Sequence, residues 1–571
     1  ADDAKDEDED VFGDDDEDAR SDSGGWDDEA PEPTFPRLEH HGYLRFRADM
    51  FGNAHLGTAT RQSKNSDGNT FGTSAFRPPL TENAYNNIDG APEIVGEAEN
   101  DETFLASANI RFRYQPTFLI SESLKIAATF DVLDNLVLGS TPDFNVNRPD
   151  VPLAAFSGGQ APPGEGFQFQ DSIRVKELYG EWKILGAVPL RFGRMKSDWG
   201  LGILANSGDG WDDDYGDVND RILLALQFYG IYFFGGYDIV SSGPTNRQEH
   251  QPFGQAYDMT ETDDVTQGFF GVFQRPVSKA ELDARAKRLN TDRKPSFDWG
   301  VYGVFRRQKL ATNDNTSDVQ DGTILWDAYE LQERGAWAVI PDIWWKLEYR
   351  PKYSERLRVE FEASMIYAEV DNVFYDVPHA NPSRTVLSWG VALEAEYQLG
   401  GLNLALWTGA ASGDKAENLA VTGGADDKNF EQDGVANEEL TNFRFDRNYT
   451  VDMLMFREVI GTITNAWYAR PAVSYDIFAD SPDEALGGEL ALIVATALDK
   501  TAYPGDSTYL GTEMDIRLFY EQTNKFMADL ALGVFFPGHA FDLVPGWRSY
   551  SGDKVVPSIA WTLQTHIVIQ F

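Results

Sequence analysis

Six aspartates crowd the stretch "SGDGWDDDYGDVND", residues 207–220: Asp209, Asp212, Asp213, Asp214, Asp217 and Asp220. Carboxylate oxygens at this density suit a hard divalent cation, and Asp209, Asp212, Asp214 and Asp217 are the candidate calcium ligands. Their spacing departs from an EF-hand loop, so a hydrated acidic loop that uses its glycines for tight turning is the competing reading. Catalytic patterns are scarce. The seven histidines form no HExxH spacing, and no GxSxG elbow, P-loop or dinucleotide fingerprint occurs in a plausible context. His566 alone draws attention, and an ordinary wall histidine is its simplest reading. The sequence predicts no enzyme, and no cofactor beyond calcium in that loop.

A second group of charges repeats every other residue. Arg45 and Arg47 alternate with Leu44, Phe46, Ala48 and Met50; Arg111 and Arg113 alternate with Ile110, Phe112 and Tyr114. Lys125 opposes Leu124 and Ile126, while Glu360 and Glu362 oppose Val359, Phe361 and Ala363, and Glu394 and Glu396 sit opposite Leu393 and Tyr397. Period-two alternation requires β-strands, with charges on one face and oily residues on the other. The chain closes on the same pattern in "SIAWTLQTHIVIQF", residues 558–571, with Trp561, Leu563, Ile567, Ile569 and Phe571 on one parity.

Composition narrows what such strands can build. The 571 residues carry 93 acidic and 48 basic side chains and no cysteine, which excludes disulfides and thiolate metal sites. No apolar run approaches the ~18 residues of a membrane helix. The first residue, Ala1, reads as that of a mature chain after signal-peptide removal. A soluble sandwich also alternates, so strand spacing has to decide. Strands are expected at 43–51, 104–115, 123–134, 172–184, 189–197, 220–228, 231–240, 266–275, 297–309, 339–350, 356–369, 385–398, 402–411, 466–478, 487–498, 510–522, 525–536 and 558–571. Their connections alternate between short turns and long loops, the signature of a transmembrane antiparallel β-barrel with short periplasmic turns and long extracellular loops. Eighteen strands are expected, with 16 or 20 as neighbours; the stretch 412–478 is the least regular.

The terminal aromatic Phe571, the alternation and the loop asymmetry together resemble the Gram-negative outer-membrane porin class. The segment "LRFGRMKSDWGLGILANSGDG", residues 190–210, is similar to an uncharacterised outer-membrane family of myxobacteria-like deltaproteobacteria. The porin resemblance implies an outer-membrane location, contact with lipid and lipopolysaccharide, and insertion by the barrel-assembly machinery, which reads the terminal aromatic residue. It places the barrel at residues 42–571. The expected function is passive diffusion of small hydrophilic solutes through a charged lumen, lined by Arg45, Arg47, Arg111, Arg113, Lys125, Glu360, Glu362, Glu394 and Glu396. The arginines and glutamates fall on opposite walls, so a field across the bore is expected unless each charge pairs locally. A transporter for apolar or amphipathic substrates, or a non-conducting structural or enzymatic barrel, is the alternative.

Three segments fall outside the strand pattern. Residues 1–32 hold 17 acidic and 2 basic residues, so 1–41 is expected as a disordered periplasmic tail, either simply solvated, docked on a basic periplasmic partner or collecting divalent cations. No nucleic-acid partner suits this charge. Residues 278–294 have helical spacing and a basic surplus, suggesting a short helix in a periplasmic turn. The loop 412–465 contains "NYTVDMLMFREVIG", apolar on both parities. It is expected to fold back and constrict the mouth through Tyr449, Asp452, Met453 and Phe456, with an extra strand pair as the alternative.

Overall fold

A computed structural model describes residues 34–571 except 55, 58–62, 65–69, 72–103, 139–172, 244–245, 248–256, 259, 313–330, 372–382, 415–430, 433–434, 437–438, 482–483, 506 and 546–552. The acidic run 1–32 therefore lies outside the described residues.

The alternating segments form one wall. Its strands are β1 Arg37–Gly52, β2 Phe104–Ser121, β3 Leu124–Val137, β4 Ile173–Ile184, β5 Val188–Lys196 and β6 Val218–Phe228. They continue with β7 Ile231–Ser241, β8 Val265–Gln274, β9 Ser296–Thr312, β10 Leu331–Lys352, β11 Glu355–Val370 and β12 Arg384–Leu399. The last are β13 Leu402–Ala411, β14 Ala466–Ser481, β15 Glu484–Ala497, β16 Tyr509–Gln522, β17 Phe526–Pro537 and β18 Ala560–Gln570. Each of the eighteen expected spans overlaps one of these strands. β1 begins at Arg37, inside the span assigned to the tail, because Arg37 already pairs with Leu119 of β2.

Every strand is antiparallel to its sequence neighbours, and β18 returns to β1 from Tyr43↔Gln570 to Gly52↔Trp561. Closure leaves no edge, so every strand has partners on both sides even in lipid. One further member of the sheet, Glu439–Leu440, is a two-residue strand running parallel to β12. It adds no hairpin to the wall, since β13 pairs directly with β14 from Leu402↔Tyr475 to Ala411↔Ala466.

Side-chain parity orients the wall. Leu44, Met50, Ile567 and Ile569 are 43%, 41%, 42% and 49% exposed, whereas Arg45, Arg111 and Arg113 are fully buried. The oily parity therefore faces outward and the charged parity inward, as a lipid-embedded barrel requires. Strand lengths are uneven: β5 has 9 residues and β10 has 22. A lipid crossing takes only about 9–11 residues, so the taller strands rise past the apolar band.

The two ends of the barrel differ. At the turn end the hairpins are tight; Phe228 pairs with Ile231 across Tyr229 (φ 53°) and Gly230 (φ 76°). Positive φ at both central residues is the type I′ geometry that matches strand twist. The exception at this end is 275–295, which carries helix α1 Lys279–Asn290, as the spacing at 278–294 suggested. Ser278 and Glu281 form its capping box. The opposite, loop end carries the long connections. Two of them, 197–217 and 441–465, turn back inside the barrel and bury residues such as Ile203, Leu454 and Met455 completely.

Candidate functional site

The interior is organised by these two infolded segments. Gly200 and Gly202 (φ 65° and 79°) let 197–217 double back, and the backbone there lies so close to β11 that a Cβ on Gly200 would sit 2.6 Å from the Glu362 carboxylate. That carboxylate accepts the N–H groups of Leu201 (2.5 Å) and Ile203 (3.4 Å). Trp199 donates its ring N–H to Asp342 at 2.9 Å and stacks on Tyr302 at 5.3 Å. Phe234, Phe269 and Phe273 complete this aromatic packing on the inner face of β7 and β8. The segment is thus pinned to one side of the barrel.

Its acidic tip reaches the other side. Arg47 donates to Asp214 (2.9 Å) and Asp212 (3.3 Å), and Arg111 donates to Asp214 at 2.9 Å and to the Asp213 carbonyl at 2.5 Å. Arg45 binds the Trp211 carbonyl at 2.9 Å, and Arg113 binds the Gly208 carbonyl at 2.8 Å. Asp209 lies 2.5 Å from Lys196 and 3.5 Å from Arg113. The wall adds its own partners: Asp134 for Arg111 at 2.6 Å, and a bidentate Asp131 for Arg113 at 2.7 and 2.9 Å. Burial alone would raise these aspartates, but Arg457 and His566 hold Asp212 well below the usual carboxylate range. Against the same burial, Arg47, Arg45 and Arg111 hold Asp214 down at about 2. Both stay ionised at neutral pH.

His566 joins the same cluster. Its Nδ1 lies 2.8 Å from Asp529 and its Nε2 3.3 Å from Asp212, while Trp211 packs edge-on at 4.8 Å. Both ring nitrogens face carboxylates, one from the wall and one from the segment.

The second infolded segment is apolar where the first is acidic. Phe443, Phe445, Tyr449, Val451, Leu454, Met455, Phe456, Val459 and Ile460 are all buried. They pack against inward residues that are small or aliphatic: Ala392, Ala411, Ala491, Ile493 and Ala495. The backbone of 455–460 makes a π-helical turn closed by Gly461 in the left-handed region (φ 95°). Glu513 of β16 accepts the N–H groups at its start, from Met453 (2.9 Å), Leu454 (2.8 Å) and Met455 (2.7 Å). Asp452 accepts Phe456 N–H at 2.5 Å, and burial, then the Glu513 carboxylate, lifts Asp452 well above the usual carboxylate range. Tyr449 donates to Glu394 at 3.2 Å. Of the residues expected at a constriction, Tyr449 and Phe456 are buried away from the cavity described below, whereas Met453 and the mostly buried Asp452 border it.

Glu513→Ala should strand three backbone donors, at about 1–3 kcal/mol each for buried groups. Limited proteolysis within 446–460 should then accelerate while the wall stays intact, and Glu513→Gln, which keeps an acceptor oxygen, should fall between. An unchanged cleavage rate for the alanine variant removes Glu513 as the anchor.

The two segments hold each other. Arg457 donates to Asp212 at 2.7 Å, Tyr215 N–H to Asn448 at 3.2 Å, and Asp446 N–H to the Ile203 carbonyl at 2.9 Å. Beside them remains a cavity of about 1880 Å³ that borders Phe571 and His41 toward the turn end. Arg47, Lys125, Arg358, Glu360, Glu394 and Glu396 line it, whereas Arg45, Arg111, Arg113 and Glu362 are outside its lining, covered by the infolded segments. On the wall opposite the arginine cluster, Arg358 binds Glu360 (2.7 Å), Glu394 (3.1 Å) and Glu396 (2.9 Å). Lys125 lies 4.0 Å from Glu181. Charges on both walls thus have local partners, which shortens the reach of any transverse field.

Asp209, Asp212 and Asp214, expected as calcium ligands, face cations of the chain itself, and Asp217 N–H returns to the Asn206 carbonyl at 2.8 Å. Among the described residues, the carboxylates close enough to share an ion are Asp258, Asp263 and Asp264, in the connection between β7 and β8. Sequence reading put Asp131 and Glu513 on the charged parity without giving them a role, and did not single out Asp529, Asp134 or Arg457. The inward alanines of β15 were the one available signal, since a water-filled lumen has no use for them.

The described residues form a closed eighteen-stranded antiparallel barrel whose lumen is partly filled by two of its own connections. No family model and no curated protein matches it. Among solved structures it is similar to the outer membrane protein OpdK of Pseudomonas aeruginosa, at 10% identity and a TM-score of 0.41, covering 93% of this chain and 98% of that one. OccK11 (OpdR) of the same organism stands at 9% and 0.40, covering 93% and 96%. OccAB1 of Acinetobacter baumannii stands at 9% and 0.37, covering 93% and 97%.

Proposed function

We propose that this chain is an outer-membrane porin, a passive diffusion channel for small hydrophilic solutes narrowed by the two infolded segments. The observation that carries the reading is the charged cavity of about 1880 Å³ inside a wall whose outer parity is apolar. A barrel built only to anchor a surface has no need for a wet interior, and the paired charges of that cavity favour polar solutes over apolar ones. Liposomes carrying the protein should swell with small sugars and progressively less with larger ones; swelling equal to that of empty liposomes contradicts the reading.

Lipopolysaccharide contact, insertion by the barrel-assembly machinery and the deltaproteobacterial likeness of residues 190–210 belong to the same proposal and rest on sequence resemblance. Calcium binding at Asp209, Asp212, Asp214 and Asp217 would have to displace Arg45, Arg47, Arg111, Lys196 and Arg457 from Asp209, Asp212 and Asp214. The orientation follows from the loops: a protease site inserted within 60–75 should be cut on intact cells, and one at 351–355 should be spared. The reverse pattern inverts the barrel.

A further inference from the structure

Helix α1 lies against the inner rim of the turn end. Glu281 receives Tyr232 Oη at 2.7 Å and Gln227 at 2.8 Å, from β7 and β6. Arg285 reaches Glu348 of β10 at 2.9 Å and Asp298 of β9 at 3.3 Å. Tyr232, Asp298 and Glu348 are buried, and Leu289 is buried with them. One side of the helix is therefore committed to the barrel.

The other side carries charge without a partner. Lys279, Lys287 and Lys294 are exposed and form no ion pair among the described residues, and neither does the exposed Lys525 in the turn between β16 and β17. In a chain of net charge −45 this is anomalous. Residues 275–294 hold seven basic against three acidic side chains. The same end of the barrel is where β1 starts, three residues after Thr34, and residues 1–33 carry 17 acidic and 2 basic side chains.

We propose that residues 1–33 dock in cis on the exposed lysines of α1 and of the turn that follows it. Reach permits it: 33 residues span up to ~110 Å. α1 lies between β8 and β9, nearly opposite β1, and an eighteen-stranded barrel with ~4.8 Å strand spacing and ~40° tilt is about 35 Å across. Tethering makes the encounter intramolecular and raises the effective concentration of the acidic run near the helix. Exposed ion pairs are individually weak, so the docking depends on many of them and on low salt.

Zero-length carbodiimide crosslinking of the full chain in detergent tests this, because it joins only carboxylates and amines already in contact. At low salt, amide-linked peptides should connect residues 1–33 to Lys279, Lys287 or Lys294, and raising salt to about 0.5 M should reduce them roughly fivefold. A mixture of light and heavy-isotope protein should give same-isotope pairs. Replacing Lys279 and Lys287 by glutamate should also cut the links to Lys294, which keeps its amine, while heat-modifiable mobility reports an intact barrel. The proposal is overturned by links no more frequent than those to Lys554 at the loop end, or by mixed-isotope pairs, which would mark a second copy as the occupant. None of these readouts requires ion flow, so this docking and the porin reading succeed or fail separately.

Discussion

Replacing Arg111 and Arg113 together by glutamine should raise single-channel conductance roughly twofold or more and shift the reversal potential toward cation preference. Both guanidinium groups are fully buried, and between them they hold Asp214, the Asp213 and Gly208 carbonyls, and the wall carboxylates Asp131 and Asp134. Glutamine can replace one hydrogen bond at each position but none of the charge. Asp209 and Asp214 would then face the lumen with fewer counter-charges, and the tip of 197–217 would lose its hold on β2. Leu201 and Ile203 remain tied to Glu362, so the segment should swing from that anchor rather than leave the barrel. The pH dependence has a defined sign. A carboxyl depressed in the folded state contributes stability above its ordinary value near 4, and this is lost as pH falls through the folded value. Asp214 sits at about 2 and Asp212 lies well below the usual range. Acidifying the unmodified protein from pH 7 to pH 4 should therefore not release the segment. Conductance and reversal potential both unchanged in the double variant would mean that these arginines do not control access to the lumen.

Deleting residues 446–460 should enlarge conductance further and leave the barrel assembled. The wall does not depend on this segment, since β13 and β14 pair directly over ten register positions from Leu402↔Tyr475 to Ala411↔Ala466. What the deletion removes is filling: Tyr449, Val451, Leu454, Met455, Phe456, Val459 and Ile460 come out of the lumen together with Asp452 and the Arg457 contact to Asp212. It leaves Ala491, Ile493 and Ala495 facing water and Glu513 without its three donors. Burial of apolar area is worth roughly 25 cal/mol per Å², so the shortened protein should be less stable while folding to the same wall. Heat-modifiable migration on a gel should persist, and conductance should exceed that of the arginine variant. Loss of the heat-modifiable form would show that the segment is needed to build the barrel.

The wall was legible in the sequence because lipid on one side and charge on the other impose opposite demands on alternate residues. In β11, Val359, Phe361 and Ala363 alternate with Glu360, Glu362 and Ser364, and strand and face follow from that pattern alone. Legibility fell where the inward side also became apolar, as in β15, whose Ala491, Ile493 and Ala495 serve the infolded segment and not the solvent. The partners inside the lumen were not legible. Asp212 is 165 residues from Arg47 and 245 from Arg457, and nothing local in "GWDDDYG" says which cation it will meet. A dense acidic loop looks hydrated in sequence; in the barrel it is a counter-ion for the arginines that sequence reading assigned to the pore. The apolar character of 446–460 did point inward, because such residues exposed at a loop end would cost hydrophobic burial without return.

Single-channel recording of the purified full chain in a planar bilayer tests the central claim most directly. Discrete conductance steps are expected, growing with salt concentration, larger after deletion of 446–460 and larger after replacement of Arg111 and Arg113. A bilayer that stays silent with correctly folded, heat-modifiable protein, and stays silent with both variants, would mean that the two segments belong to a sealed barrel and that this chain is not a channel.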